Sequence, residues 1–202
     1  MARSAPDIAP PRPGRRPSTS LEEIERAGLA LFADRGFDAV SVDDIAAEVG
    51  IGRRTFFRYY PSKNDLVWGR FDELIDEWEA WMRAHTAEMP LLQAIRAAVL
   101  HFNDFPEDDD THRLRMSLIL QNPALQAHAT LRYQRWRDAI ARYSARRLGV
   151  DNEAFTPRVI GHIALGAALA SYEQWLLTPD ADLRGLLDDA LTVLAETVRL
   201  PG

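Results

Sequence analysis

At 202 residues and 47% hydrophobic side chains, the chain can bury a sizeable core in one large or two small domains. It carries 24 basic and 30 acidic residues, a formal net charge of −6, and its lack of cysteine excludes disulfide frameworks and thiolate metal sites. No run approaches the roughly 20 apolar residues that span a bilayer, and the first twenty residues hold prolines and arginines where a signal peptide has its apolar run, so a cytoplasmic protein without a membrane partner is expected.

Residues 1–18 stand apart from the rest. Five prolines and four arginines against one acid cannot build a core, and they predict a disordered arm. An arm of this kind suits contact with phosphate or a minor groove, although a solvated leader fits so simple a composition better.

Further along, Val42, Ile45, Ala46 and Val49 recur at helical spacing. Ser41 is placed to cap that helix, and Asp43 and Asp44 suit the positive end of its dipole. Gly50 can take the left-handed conformation that ends it, letting Ile51 fold back onto the core. A second short helix follows from about Gly52 to Tyr60, where Pro61 disfavours further helix. Phe56 and Tyr60 are expected to face inward. Arg53, Arg54, Thr55, Phe57, Arg58 and Tyr59 then spread over the outside. Between Gly50 and Lys63 there are three arginines, one lysine and no acid. Residues 1–70 hold 11 basic against 10 acidic groups and the remainder 13 against 20, so the basic patch is local, which suits a duplex partner.

These segments resemble the TetR family of one-component transcriptional regulators. The resemblance runs from a first helix over Ser20–Arg35, closing on Gly36 and Phe37, through Ser41 to Ala46, and ends in Phe56-Phe57-Arg58-Tyr59-Tyr60-Pro61-Ser62-Lys63. The longer run from Gly52 to Asp65 is similar to the subgroup associated with mycofactocin clusters in actinobacteria. The resemblance implies an all-α protein with a helix-turn-helix DNA-binding domain over residues 19–64 and a helical effector-binding and dimerisation domain over 65–202. It also implies a homodimer on a palindromic operator in double-stranded DNA, no catalytic role and no cofactor. Two positions depart from the commoner pattern: Gly52 replaces a capping serine, and Phe57 replaces a tyrosine that touches phosphate. The phosphate grip is therefore expected from Tyr59, Lys63 and Ser41, and base-edge reading from Arg53, Arg54 or Thr55 near the helix N-terminus.

Beyond Lys63 the pattern is helical throughout. One long helix is expected from Ser62, with Leu66, Val67, Phe71, Leu74, Ile75, Trp78 and Met82 in a stripe. Further helices are expected from about Pro90 to Phe105, Thr111 to Gln121, Ala124 to Leu148, Pro157 to Leu177 and Asp182 to Leu200, with no strand. In the last two, Leu183, Leu187, Leu191 and Leu194 form a stripe, and Gly161, Ala164 and Ala168 allow a close helix approach. Such helices suit either an interior or a subunit interface, and the family resemblance favours a two-fold dimer.

The same resemblance implies a cavity for a small effector. Its candidate lining is Trp68, Phe71, Trp78, Phe102 and Phe105 from the first half, with Met116, Leu120, Trp136, Tyr172 and Trp175 from the second. Each aromatic taken singly suits plain core better. The set as a whole favours a lipophilic effector, and acyl-CoA is a known effector class in the family. The arginines of Leu131–Leu148, Arg135 and Arg142 among them, suit coenzyme A phosphates, but a face that balances acidic neighbours is the preferred expectation. The acidic run Glu107 to Asp110 with His112 reads as a solvated loop rather than a metal site. The histidines lack metal-ligand spacing, and no serine sits in a nucleophile elbow. A dimeric repressor released by a lipophilic molecule is therefore expected, with an activator or effector-independent DNA binder as the alternative and an all-helical enzyme a more remote one.

Overall fold

A computed structural model describes residues 20–104 and 109–197. Ten helices make up the described chain: α1 (Leu21–Arg35), α2 (Val42–Glu48), α3 (Arg53–Tyr59), α4 (Lys63–Trp68), α5 (Phe71–His85), α6 (Leu91–Phe102), α7 (Asp109–Gln121), α8 (Pro123–Leu148), α9 (Phe155–Leu177) and α10 (Leu183–Thr197). None of them is long and apolar enough to cross a membrane. The arm over 1–18, Phe105, Glu107, Asp108 and the side chain of Leu194 lie outside the described residues.

Local chemistry starts and stops the first helices. Ser20 caps α1 in a reciprocal box: its hydroxyl accepts from Glu23 N at 3.2 Å, and the Glu23 carboxylate accepts from Ser20 N at 3.0 Å. Ser41 and Asp44 repeat the arrangement at α2. At the end of α2, Ile51 N donates to Ala46 O at 2.9 Å and Gly50 N to Ala47 O at 3.1 Å, with Gly50 at φ 68°. That pair of bonds needs a left-handed residue between them, which is why glycine stands there. The turn aims α3 across α2, and Ile24, Phe32, Val40, Ile45, Phe56 and Leu66 close the small core with almost no exposure. Gly28 lets α1 and α4 cross closely, since a Cβ there would sit 2.7 Å from Leu66 Cδ1.

The single helix expected from Ser62 is broken in two. Gly69, at φ 53°, ends α4, and the chain restarts at Phe71. The apolar spacing continues across the break, so periodicity alone did not reveal it. The Glu25 carboxylate of α1 occupies the space beside Gly69, within 2.9 Å of where a Cβ would stand. A side chain distant in sequence therefore fills the side of the bend.

Two hydrophobic clusters result. The first joins the core of α1–α4 to Met116, Ile119, Leu125, Ala129, Tyr172 and Trp175, crossing the expected boundary at residue 64. The second fills the space among α5, α6, α8, α9 and α10. Here five of the residues expected to meet a second subunit are buried within the protomer. Gly161 packs on α8, where a Cβ would come within 2.6 Å of Arg137 O. Ala164, Ala168, Leu187 and Leu191 are buried in the second cluster, and Leu183 packs against it half-buried. Small residues permit close approach to any helix, and at Gly161 it is α8 of the same chain that approaches.

Arginines along α8 hold α4 and α5. Arg132 pairs with Asp65 at 3.0 Å and with Asp72, Arg135 with Asp72 at 2.8 Å and Asp76 at 2.7 Å, and Arg142 with Glu79. This face balances acidic neighbours, so Arg135 and Arg142 are committed to α5 and do not line the cavity described below.

Candidate functional site

The outward surface of α3 is built by what α3 buries. Phe56 is fully enclosed and Tyr60 nearly so, which turns Arg53, Arg54, Phe57 and Arg58 to solvent and leaves Thr55 and Tyr59 half-buried. Gly52 stands at the N-cap without a side-chain cap bond, so the first N–H groups of α3 stay open to an anionic partner. Arg53 is tethered, however. Its Nη1 lies 2.7 Å from Asp43 of α2, and its guanidinium sits 5.5 Å from the Phe57 ring centroid. Arg54 forms no ion pair among the described residues, while Arg58 lies over Tyr59 and donates to its hydroxyl at 3.3 Å. Ser41 is exposed, but its hydroxyl already serves the α2 cap.

Lys63 has a use that sequence reasoning missed. Its ammonium donates to Phe37 O at 2.7 Å and Val40 O at 2.8 Å and lies over the Phe37 ring. Partial burial holds its pKa below the usual lysine value. Lys63 thus ties the start of α4 to the α1–α2 loop and keeps one N–H beyond those two bonds.

A cavity of about 760 Å³ lies between α1 and the helices α5 to α9. Of the expected lining residues, Trp68, Phe71, Phe102, Met116, Trp136 and Tyr172 surround it. Trp78, Leu120 and Trp175 do not. Trp78 stacks behind Phe102 and Trp136 and donates its ring N–H to Ala98 O at 2.7 Å. Trp175 packs under Arg113 and His112, and Leu120 sits against the first cluster. Residues not expected in the lining include Asn103, His112, Arg115, Tyr133, Leu165 and Leu169. Tyr133 stands three residues before Trp136, and Leu165 seven before Tyr172, so helical spacing from the aromatics already chosen would have found both.

The cavity wall includes an ordered polar chain. Tyr172 donates to Asn103 Oδ1 at 2.7 Å, and its oxygen lies 3.0 Å from His112 Nε2, which leaves Nε2–H of His112 as the donor. Burial, with a smaller push from Arg115, lowers the His112 pKa to about 4, so the ring is neutral at ordinary pH. Burial also raises Tyr133 to about 12. Among the described residues, the buried Tyr133 hydroxyl and Trp68 ring N–H find no hydrogen-bond partner. On the side of the cavity towards α1, Glu25 and Arg115 form an ion pair, and Glu22, Glu23, Arg26 and Arg70 also line the cavity.

A capped helix-turn-helix with a basic outer face, joined to a helical domain that encloses a cavity, defines a one-component DNA-binding regulator. Residues 24–67 match the model of the bacterial regulatory proteins of the tetR family, and residues 89–199 match the MftR C-terminal domain. The chain belongs to the TetR family of transcriptional regulators, in the group that carries the MftR C-terminal domain. It is 42% identical over 184 residues to MftR of Mycobacterium tuberculosis, named for the regulation of mycofactocin biosynthesis, covering 91% of this chain and 93% of that one. The transcriptional activator FasR of Mycolicibacterium smegmatis is 27% identical over 82% of this chain and 79% of its own. Among solved structures, the repressor FadR of Thermus thermophilus, in complex with lauroyl-CoA, superposes with a TM-score of 0.60 at 23% identity, over 91% of this chain and 97% of that one. The relatives are transcriptional regulators, and the protein is a regulator rather than an enzyme.

Proposed function

We propose that the protein is a dimeric repressor that leaves a palindromic operator when a lipophilic molecule, such as a long-chain acyl-CoA, enters the cavity between α1 and α5–α9. The observation that carries this is the cavity itself. At about 760 Å³ it falls in the usual size range for small-molecule sites, roughly 300–1,000 Å³, and its wall is mostly apolar and aromatic. It also touches α1 of the DNA-binding head, so an occupant bears on the element that positions α3. The lauroyl-CoA complex of FadR, a protein of the same fold, supports the choice of chemical class.

For DNA contact, Arg54 is the leading base reader because Asp43 must first release Arg53. Thr55, Phe57, Arg58, Tyr59 and Ser41 complete the face, and Lys63 adds its remaining N–H towards phosphate.

For dimerisation, the outer face of α9 replaces the buried stripe. Phe155 (81% exposed), Val159, His162, Gly166, Ala170 and Leu177 (79% exposed) share one side of α9, and Val193 of α10 is 61% exposed. Large apolar side chains at that exposure are costly in water and suit a self-complementary two-fold contact. Among the described residues, nothing outside its own helix backbone and chain neighbours lies within 4 Å of a Cβ built on Gly166, so a partner helix can approach closely there.

The test is fluorescence anisotropy on DNA from upstream of the protein's own gene, against scrambled competitor at fixed salt, with and without a long-chain acyl-CoA. Specific binding that the acyl-CoA reverses is the expected result. Specific binding that ignores it removes the effector class and keeps the regulator. FasR is named an activator, so a promoter-reporter assay in a deletion strain decides the sign: loss of the protein should raise expression, and a fall would mean activation.

A further inference from the structure

The two sides of the cavity differ in chemistry. Phe102, Trp136, Leu165 and Leu169 line it from the second hydrophobic cluster, and Arg115 of α7 and Glu25 of α1 line it from the side of the DNA-binding head. That ion pair is mostly shielded, with the side chains 11% and 17% exposed. Each partner also holds something else. Arg115 Nη1 donates to Val67 O of α4 at 2.7 Å. Glu25 Oε2 accepts from the hydroxyl of Tyr60, the C-cap of α3, at 3.2 Å, and its carboxylate fills the space beside Gly69 between α4 and α5. One carboxylate therefore joins α1, the end of the recognition helix, the α4–α5 bend and α7.

We infer that the cavity selects an amphiphile with an anionic end, which acts by taking Arg115 from Glu25 and so unfastening Tyr60 and the α4–α5 bend. This rests on the reading of the cavity as the effector site. A shielded guanidinium in the wall of an apolar cavity is a strong docking point for a carboxylate or phosphate, because charge-assisted and bidentate bonds to it are the strongest available there. Two anions sharing one guanidinium in a poorly solvated wall repel each other, so the ligand's charge competes with Glu25. A neutral-ended ligand of equal length fills the apolar side and leaves the pair intact. Fatty-acid carboxylates and coenzyme A phosphates share the required chemistry. The coupling is reciprocal: the DNA-bound arrangement, with the pair closed, opposes the anion as much as the anion opposes DNA.

The experiment uses the full chain with oleate, oleoyl-CoA and oleyl alcohol. Binding is read by the fluorescence of Trp68 and Trp136, which line the cavity, and DNA release by anisotropy. In the wild type, the alcohol should bind without releasing DNA, and at least one anionic ligand should release it. Release by oleate assigns the anion to a carboxylate, and release by oleoyl-CoA alone assigns it to the phosphates. Glu25→Gln should bind the releasing ligand at least about fivefold more tightly, within the usual range of coupling between sites, and leave the alcohol unchanged. Tyr60→Phe keeps the ion pair and should bind ligand like the wild type but release DNA less, which tests the link should Glu25→Gln fold poorly. Equal shifts for all three ligands, or DNA release by the alcohol as strong as by the anions, overturns the inference and leaves the effector site standing. Failure of all three to bind the wild type removes both.

Discussion

Single side chains here take positions that charge alone does not reveal. Lys63 and Arg54 are both cations of the DNA-binding head, yet Lys63 bridges two carbonyls of the α1–α2 loop, whereas Arg54 forms no ion pair among the described residues. Arg54→Ala should cost operator binding roughly 1–3 kcal/mol and relax one base position, with random DNA little affected. Lys63→Met should instead lower the unfolding free energy in urea by about 1–3 kcal/mol, since it removes two bonds from a charged donor. Equal losses on specific and random DNA for Arg54→Ala would refute its role as a reader. His112 supplies a second test. The fold holds the ring neutral, with a pKa of about 4 against about 6.5 for an unperturbed histidine. The unfolded chain therefore binds the extra proton between those values. Its contribution to stability is complete above about pH 6.5 and is lost as the pH falls towards 4, amounting to about 3 kcal/mol in full. Urea midpoints should drop over this window in the wild type, and His112→Gln should flatten the drop.

Among the elements, glycines decide how helices meet. Gly161 puts α9 against the backbone of α8, and because the obstacle is Arg137 O rather than a flexible side-chain end, it has little room to give way. Gly161→Ala should destabilise the protein by about 1–3 kcal/mol, the usual cost of overpacking, visible as a lower melting temperature. An unchanged melting temperature would mean that the two helices slide apart freely. The α2–α3 turn was legible in sequence because its causes are local: Ser41, Gly50 and Ile51 act within a few residues of the bonds they determine. The break at Gly69 was not, because the apolar period runs through it and the Glu25 carboxylate beside it comes from another helix.

For the whole molecule, the outer face of α9 carries the proposed assembly. Among the described residues, a Cβ built on Gly166 would meet no other element within 4 Å, in contrast to Gly161. Gly166→Glu should leave protomer stability nearly unchanged, within about 0.5 kcal/mol for an exposed site after allowing for the gain over glycine in a helix. Sedimentation velocity should then show a monomer, and operator affinity should fall, because a palindrome is held by two linked heads. A variant that remains dimeric would move the interface elsewhere. Six of the ten residues expected in the cavity lining stand there. The aromatics were recognisable as one apolar set, but only packing separates Trp136, which faces the cavity, from Trp78, which stacks behind it.

Sequence by itself determined the all-helical class, the helix-turn-helix, the inward Phe56 and Tyr60, and the family, since caps, turns and short-range periodicity act between residues near one another in the chain. Tertiary structure alone decided that Gly161 of α9 packs on α8, that Arg132, Arg135 and Arg142 of α8 pair with the acids of α4 and α5, and that Glu25 meets Arg115 and Tyr60 in the cavity wall. The physical reason is one of partnership. A cap or a turn carries its partner within a few residues, whereas a close-packing glycine or a charged side chain specifies only the kind of partner it needs, and folding chooses which one arrives.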